Sequence, residues 1–253
     1  MSRLTLLALS GMLALAAWWP TSAPPTHAQV PETPSFLNSE VRNFDNNGEP
    51  LLPTLLLIAA TYRIPMGIEQ VTSESTTHHA IVRLAHGTVA ELLDVCIAQL
   101  AGYAWTVRDG AVDIFGQKEW EDPSNLFNFK IPSFVSKDST LNDANNRLRD
   151  VVFAAGARPA LGGSSQKPGG MGGDSPGVGA LEAKRVNIVA ENVSVRSILN
   201  RIVVLSPSSG QQVVWVANAP PDQLGKAPSS GLWRLVPVGR PIEPDEKHSK
   251  HSP

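Results

Sequence analysis

Apolar positions along this chain change their spacing in an order that is used twice. The first dense stretch, Leu51–Ala60, predicts a helix from near Leu51 to near Tyr62, since Pro53 fits a helix only in its first turn and Pro65 stops it. Leu55 to Ala60 leave almost no polar face, so this helix is expected to be covered on more than one side. Short strands are predicted at Met66–Gln70 and Ala80–Ala85. Thr88 with Glu91 then forms a capping-box pattern, and Val89, Leu92, Leu93, Cys96, Ile97 and Leu100 recur at helical spacing until Gly102. Tyr103–Arg108 and Ala111–Phe115 flank Asp109-Gly110, a two-residue hairpin signal.

The second half follows the same grammar. Phe127–Val135 reads as a strand interrupted by Pro132, and Leu141–Ala155 as a helix begun by Thr140 and Asp143. Val186–Ala190 alternates as a strand. Ser194 caps a helix whose Val195, Ile198, Leu199, Ile202 and Val203 fall at the spacings of Val89, Leu92, Leu93, Cys96 and Ile97. Gln211–Ala217 forms a strand holding Trp215, with Leu232–Val236 as its expected partner. Ala80–Val107 and Val186–Val216 therefore make an internal repeat. The Gly-, Pro- and Ser-rich stretch 156–180 reads as a loop and 239–253 as a disordered tail. The expected class is α+β: two small modules, 34–116 and 125–238, each packing two helices on short mixed sheets.

Composition adds the compartment. Met1–Ala28 has one charge, Arg3, an apolar run from Leu4 to Trp19, and small residues at Thr26-His27-Ala28, which together read as a cleaved signal peptide. The alternative, an uncleaved anchor, has an apolar run that is short for a spanning helix. Removal leaves 20 basic against 23 acidic side chains and no further run long enough to cross a bilayer. An exported protein of the periplasm or outer-membrane surface is expected. The formal charge of −2 gives nucleic acid no electrostatic claim on the chain, and one cysteine excludes a disulfide scaffold.

Candidate chemistry is thin. His78, His79 and His86 lack partners at zinc-ligand spacing and read as loop histidines, and His248 and His251 as part of a solvated tail. Cys96 lies on the apolar stripe, matched by Ile202, and reads as a buried small hydrophobe. Glu91, Asp94, Asp109 and Asp113 carry no spacing that singles them out from solvated helix and turn positions. No catalytic, cofactor-binding or metal-binding residue is assigned, and no cofactor is expected. Tyr103, Trp105 and Trp215 are the candidate partner-binding residues: the two tryptophans occupy comparable strands, where an exposed ring would anchor a partner and a buried one would fill a core.

Leu55–Gln70 and, above all, "GTVAELLDVCIAQLAGYAWTVRDGAVDIFG" resemble the secretin and TonB short N-terminal domain over residues 36–116, with a weaker, loop-interrupted second copy at 127–236. No long series of alternating strands follows, so neither a secretin pore nor a receptor barrel is expected. The resemblance implies a non-enzymatic module that binds an envelope protein or an outer-membrane assembly. Two other readings stay open: an envelope enzyme or small-ligand binder with a site between the modules, and a structural protein that self-associates.

Overall fold

The computed structural model describes residues 34–69, 79, 81–154, 181–182, 184–206, 211–217 and 233–239. The expected signal peptide, the loop 156–180 and the tail beyond Gly239 lie outside the described residues. A 3-10 turn (Ser35–Asn38) leads into β1 (Glu40–Asp45), α1 (Leu51–Tyr62), β2 (Met66–Glu69), β3 (Arg83–Thr88) and α2 (Val89–Ile97). The hairpin β4 (Tyr103–Arg108) and β5 (Ala111–Gly116) follows, then the short α3 (Gln117–Trp120) and a second 3-10 turn (Leu126–Asn128). Next come β6 (Lys130–Thr140), α4 (Leu141–Ala154), β7 (Arg185–Ser194), α5 (Val195–Val204), β8 (Gln211–Ala217) and β9 (Trp233–Gly239).

The class is α+β, and the repeat is visible in the topology. An antiparallel ribbon β1–β3 in the first half answers the ribbon β6–β7 in the second, and the hairpin β4–β5 answers the antiparallel pair β8–β9. Both second helices begin as the sequence predicts. Thr88 and Glu91 close a reciprocal capping box, and the Ser194 hydroxyl accepts the Ser197 amide. The stripe residues Val89, Leu92, Leu93, Cys96 and Ile97, and Val195, Ile198, Leu199, Ile202 and Val203, are all buried.

The halves nevertheless share a sheet. Its five strands run β4-β5-β2-β8-β9, with β2 lying parallel to β5 on one side and to β8 on the other. Residues expected to fold as modules 34–116 and 125–238 thus interleave their central strands, and from Pro34 the chain is one compact unit. Because β2 and β8 are covered on both faces, alternate side chains feed two cores. Met66, Ile68, Val112, Ile114, Val214 and Val216 join α1, α2 and the first ribbon. Ala111, Val213, Trp215 and Ala217 join α4, α5 and the second ribbon. Helix α1 packs on β8 and β9, while α5 packs on β2 and β5 as well as β8, so each half supplies a cover for strands of the other.

Several boundaries differ from the pattern-based expectation. The strand expected at Ala80–Ala85 is Arg83–Thr88, because its register is set by pairing with β1, from Asp45↔Arg83 to Glu40↔Thr88. Phe127 belongs to a turn held by the Asn125 side chain, and the strand expected there runs instead over Lys130–Thr140, through Pro132, in a two-stranded ribbon. Gly239, expected in the tail, is the last residue of β9.

Candidate functional site

The candidate partner-binding residues separate according to where their strands lie. Strand β4 is an outer strand of the central sheet, and among the described residues it pairs with β5 alone. Tyr103 and Trp105 point to the first core and are half-buried. The Trp105 indole N–H donates to Asp94 Oδ1 on α2 at 2.8 Å, which fixes the ring against the helix. Trp215 occupies the corresponding strand of the second half, but β8 is interior. Its ring is fully buried and stacks on Phe127 at 5.2 Å, and its N–H donates to Asn200 Oδ1 at 2.8 Å. Of the two possibilities for a strand tryptophan, Trp215 therefore takes the core one and cannot anchor a partner in this fold. A Cβ added at Gly67, its register partner on β2, would overlap the indole, so the glycine makes room for the ring.

Hairpin geometry determines what β4 presents. Asp109 and Gly110 both have positive φ (50° and 80°), the signature of a type I′ turn. The flanking Arg108 and Ala111 then form a hydrogen-bonded pair, as do Thr106 with Asp113 and Ala104 with Phe115. The amide and carbonyl groups of Trp105 and Val107 consequently point away from β5, toward the open edge. Tyr103 shares that phase, but its N–H donates to Leu100 O and its carbonyl accepts from Gln117 Nε2 at 3.3 Å. The register across β4–β5 is continuous, without a bulge, and the strand Tyr-Ala-Trp-Thr-Val-Arg contains neither lysine nor proline. Natural edges are commonly blunted by such devices. The opposite outer strand, β9, carries Pro237, which has no N–H to offer.

A second polar grouping lies where the halves meet. Arg196, fully buried on α5, donates Nε to Glu69 Oε1 on β2 at 2.6 Å and Nη1 to Asn128 Oδ1 at 2.5 Å. Its guanidinium also lies 4.1 Å from the centre of the Trp120 ring. Asn125 Nδ2 donates to the other Glu69 oxygen at 3.2 Å. Next to Arg196 on α5 the Ser197 hydroxyl donates to Asp109 Oδ2 at 2.6 Å, and one turn along Asn200 Nδ2 donates to Asp113 Oδ2 at 2.9 Å. Burial raises the Glu69 carboxyl above its ordinary value, against the opposing pull of Arg196. Burial likewise pushes Asp113 up to about 7, partly offset by the Asn200 bond, and its second oxygen has no hydrogen-bond partner. Asp113, expected at a solvated position, is thus a core residue.

Sequence reasoning missed Glu69, Arg196 and Asn200. The one available signal was Asp113 itself, a carboxylate inside the otherwise apolar run Ala111–Phe115. The grouping is buried, and a cavity between Glu69, Leu55, Tyr103 and Ile114 measures about 10 Å³, room for roughly one water. Its chemistry is that of a junction that ties α5 to β2 and β5. Removing one partner of such a buried ion pair costs about 3–5 kcal/mol.

Other candidates are scattered. His79 lies 2.9 Å from Gly48 O through Nδ1, His86 is exposed on β3, and His78, His248 and His251 lie outside the described residues. Among the described residues no three His, Cys, Asp or Glu side chains converge as a metal site. Cys96 is fully buried, and desolvation pushes its thiol up to about 12, the reverse of nucleophile activation. Glu91 serves the α2 cap and Asp94 holds Trp105. A groove of about 580 Å³ along α4, lined by Asp143, Arg147 and Asp150, is widely open to solvent. No helix among the described residues is long and apolar enough to cross a membrane. No protein-family model matches the chain, and no curated protein or solved structure does.

Proposed function

We propose that this chain is an exported, non-enzymatic protein–protein interaction module of the bacterial envelope, acting in the periplasm or at the outer membrane. Its docking element is β4, which receives an extended strand by sheet augmentation. The observation that carries this reading is the outer edge of β4, which no other described strand covers: outward backbone groups at Trp105 and Val107, flanked by half-buried aromatic rings. The resemblance to the secretin and TonB short N-terminal domain supports the same role, since that domain docks and does not catalyse. The buried acids and Arg196 act as a structural junction, since the bonds they make run from α5 to β2 and β5.

The test is site-specific photo-crosslinking in intact envelopes, with the reactive group placed at Ala104 on β4 or, as control, at the exposed Val189 on β7. Adducts are expected from position 104, absent from position 189, and lost when Val107→Pro removes the outward N–H. Equal labelling at both positions, or adducts indifferent to Val107→Pro, would overturn the assignment of β4.

A further inference from the structure

The geometry points to a second copy of this chain as the occupant of the β4 edge, paired antiparallel about a two-fold axis at Thr106; this deepens the docking role proposed above and rests on it. Phase comes first. Trp105 and Val107 carry the outward N–H and C=O groups, so antiparallel self-pairing that sets Trp105 of one copy against Val107 of the other brings donors to acceptors on both sides of the axis. Thr106 then faces Thr106 in a pair without direct backbone bonds, where side chains approach closely.

The resulting side-chain pairs are favourable ones. Trp105 with Val107 is an aromatic–β-branched pair, made twice by symmetry, and Thr106 with Thr106 is a hydroxyl pair; each contributes a fraction of a kcal/mol across a sheet. Charge permits it as well. The strand's one charge, Arg108, falls opposite Ala104 of the other copy, so the two guanidiniums lie at opposite ends of the paired segment instead of facing each other. The asymmetry of the two outer strands decides between a closed dimer and a fibre. With Pro237 on β9, joining β4 of one copy to β9 of the next meets a position without a donor, whereas β4 to β4 is self-complementary and closes. The product is a continuous ten-stranded sheet, twice the five strands of one chain.

Sedimentation of the full mature chain over a range of concentrations reads the association directly. Val107→Pro removes an outward N–H and no bond to β5, so it is expected to raise the dimer dissociation constant at least about tenfold while circular dichroism shows a folded chain. Thr106→Cys, with Cys96 buried, is expected to give a disulfide-linked dimer on mild oxidation. If Val107→Pro fails to fold, the Thr106→Cys cross-link in the otherwise native chain still decides the matter. A chain that stays monomeric at every concentration, a dimer that Val107→Pro leaves intact, or a dimer that Thr106→Cys cannot cross-link would each overturn the self-pairing. A monomer whose β4 photo-adduct is a different protein overturns it too, and leaves the wider docking role standing.

Discussion

Trp105 and Trp215 stand at matching places in a repeat, yet one is half-buried at a sheet edge and the other is fully buried at its centre. The difference originates in β2. The first half inserts this four-residue strand between β5 and β8, so among the described residues the first hairpin keeps an open outer strand while the corresponding strand of the second half is enclosed. Local pattern is the same in the two copies; exposure is decided by which neighbour arrives from elsewhere in the chain. The lesson is that a repeated motif specifies element type and stripe, and that the seam between copies specifies which strand is enclosed.

The sharpest test of that contrast is truncation of each ring. Trp215→Ala should destabilise by about 3–5 kcal/mol, because it empties a core site between Phe127 and Gly67 and strips Asn200 of a donor. Trp105→Ala should cost clearly less, about 1–2 kcal/mol, since part of its surface already meets water. Denaturant midpoints in the two variants give the comparison. Equal losses would mean that the edge is covered and that the two strands are equivalent after all.

The helix stripes, in contrast, should behave alike. Leu92→Ala on α2 and Ile198→Ala on α5 remove fully buried side chains and should each cost about 2–5 kcal/mol. A near-zero loss at either site, measured by urea unfolding, would break the equivalence of the two stripes.

How far these features were legible in the sequence follows from the range of the interactions involved. Both capped helices and the Asp109-Gly110 hairpin were readable because their signals are local: a hydroxyl three residues before its amide, or two positive-φ residues in a row. Strand β1 was not, since Glu40–Asp45 buries Val41 alone and owes its pairing to β3, some forty positions away. Placement of β2 between β5 and β8 was equally invisible. Met-Gly-Ile-Glu gives no hint that Gly67 must pass beneath Trp215, or that Glu69 must meet Arg196, 127 residues further on. The edge character of β4 inherits that blindness, because an edge is defined by what fails to pair with it.

Asp113 offers a smaller, pH-resolved comparison: it and Glu69 are the carboxylates buried among the described residues. Its folded value, about 7, lies above the ordinary 3.8, so the fold favours the neutral acid. Stability is then greatest below pH 4 as far as this group is concerned, and declines as pH rises through 7, by a few kcal/mol in total. Glu69, Arg196, Arg108 and Asn200 face it and shape the size of the effect. Asp113→Asn should flatten that decline and raise the urea midpoint above pH 7. A midpoint whose pH dependence is unchanged would remove Asp113 from the account; Glu69, the other buried carboxyl among the described residues, is shifted in the same direction.

The smallest effects belong to the two helix caps, and they differ in a way that geometry dictates. On α2 the cap is reciprocal: Thr88 accepts the Glu91 amide while Glu91 Oε2 accepts the Thr88 amide at 2.7 Å. On α5 the Ser194 hydroxyl accepts the Ser197 amide at 3.2 Å, and position 197 holds a serine whose own hydroxyl is spent on Asp109. Thr88→Ala and Ser194→Ala should each cost about 1 kcal/mol, but Glu91→Ala should add a loss of its own whereas Ser197→Ala should act through the β4–β5 turn. A double-mutant cycle makes the distinction measurable: Thr88 and Glu91 should couple with each other, and Ser197 should couple with Asp109 more strongly than with Ser194. Coupling of Ser197 to Ser194 alone would mean that α5 is capped just as α2 is, and that the contact between the second helix and the first hairpin carries no energy.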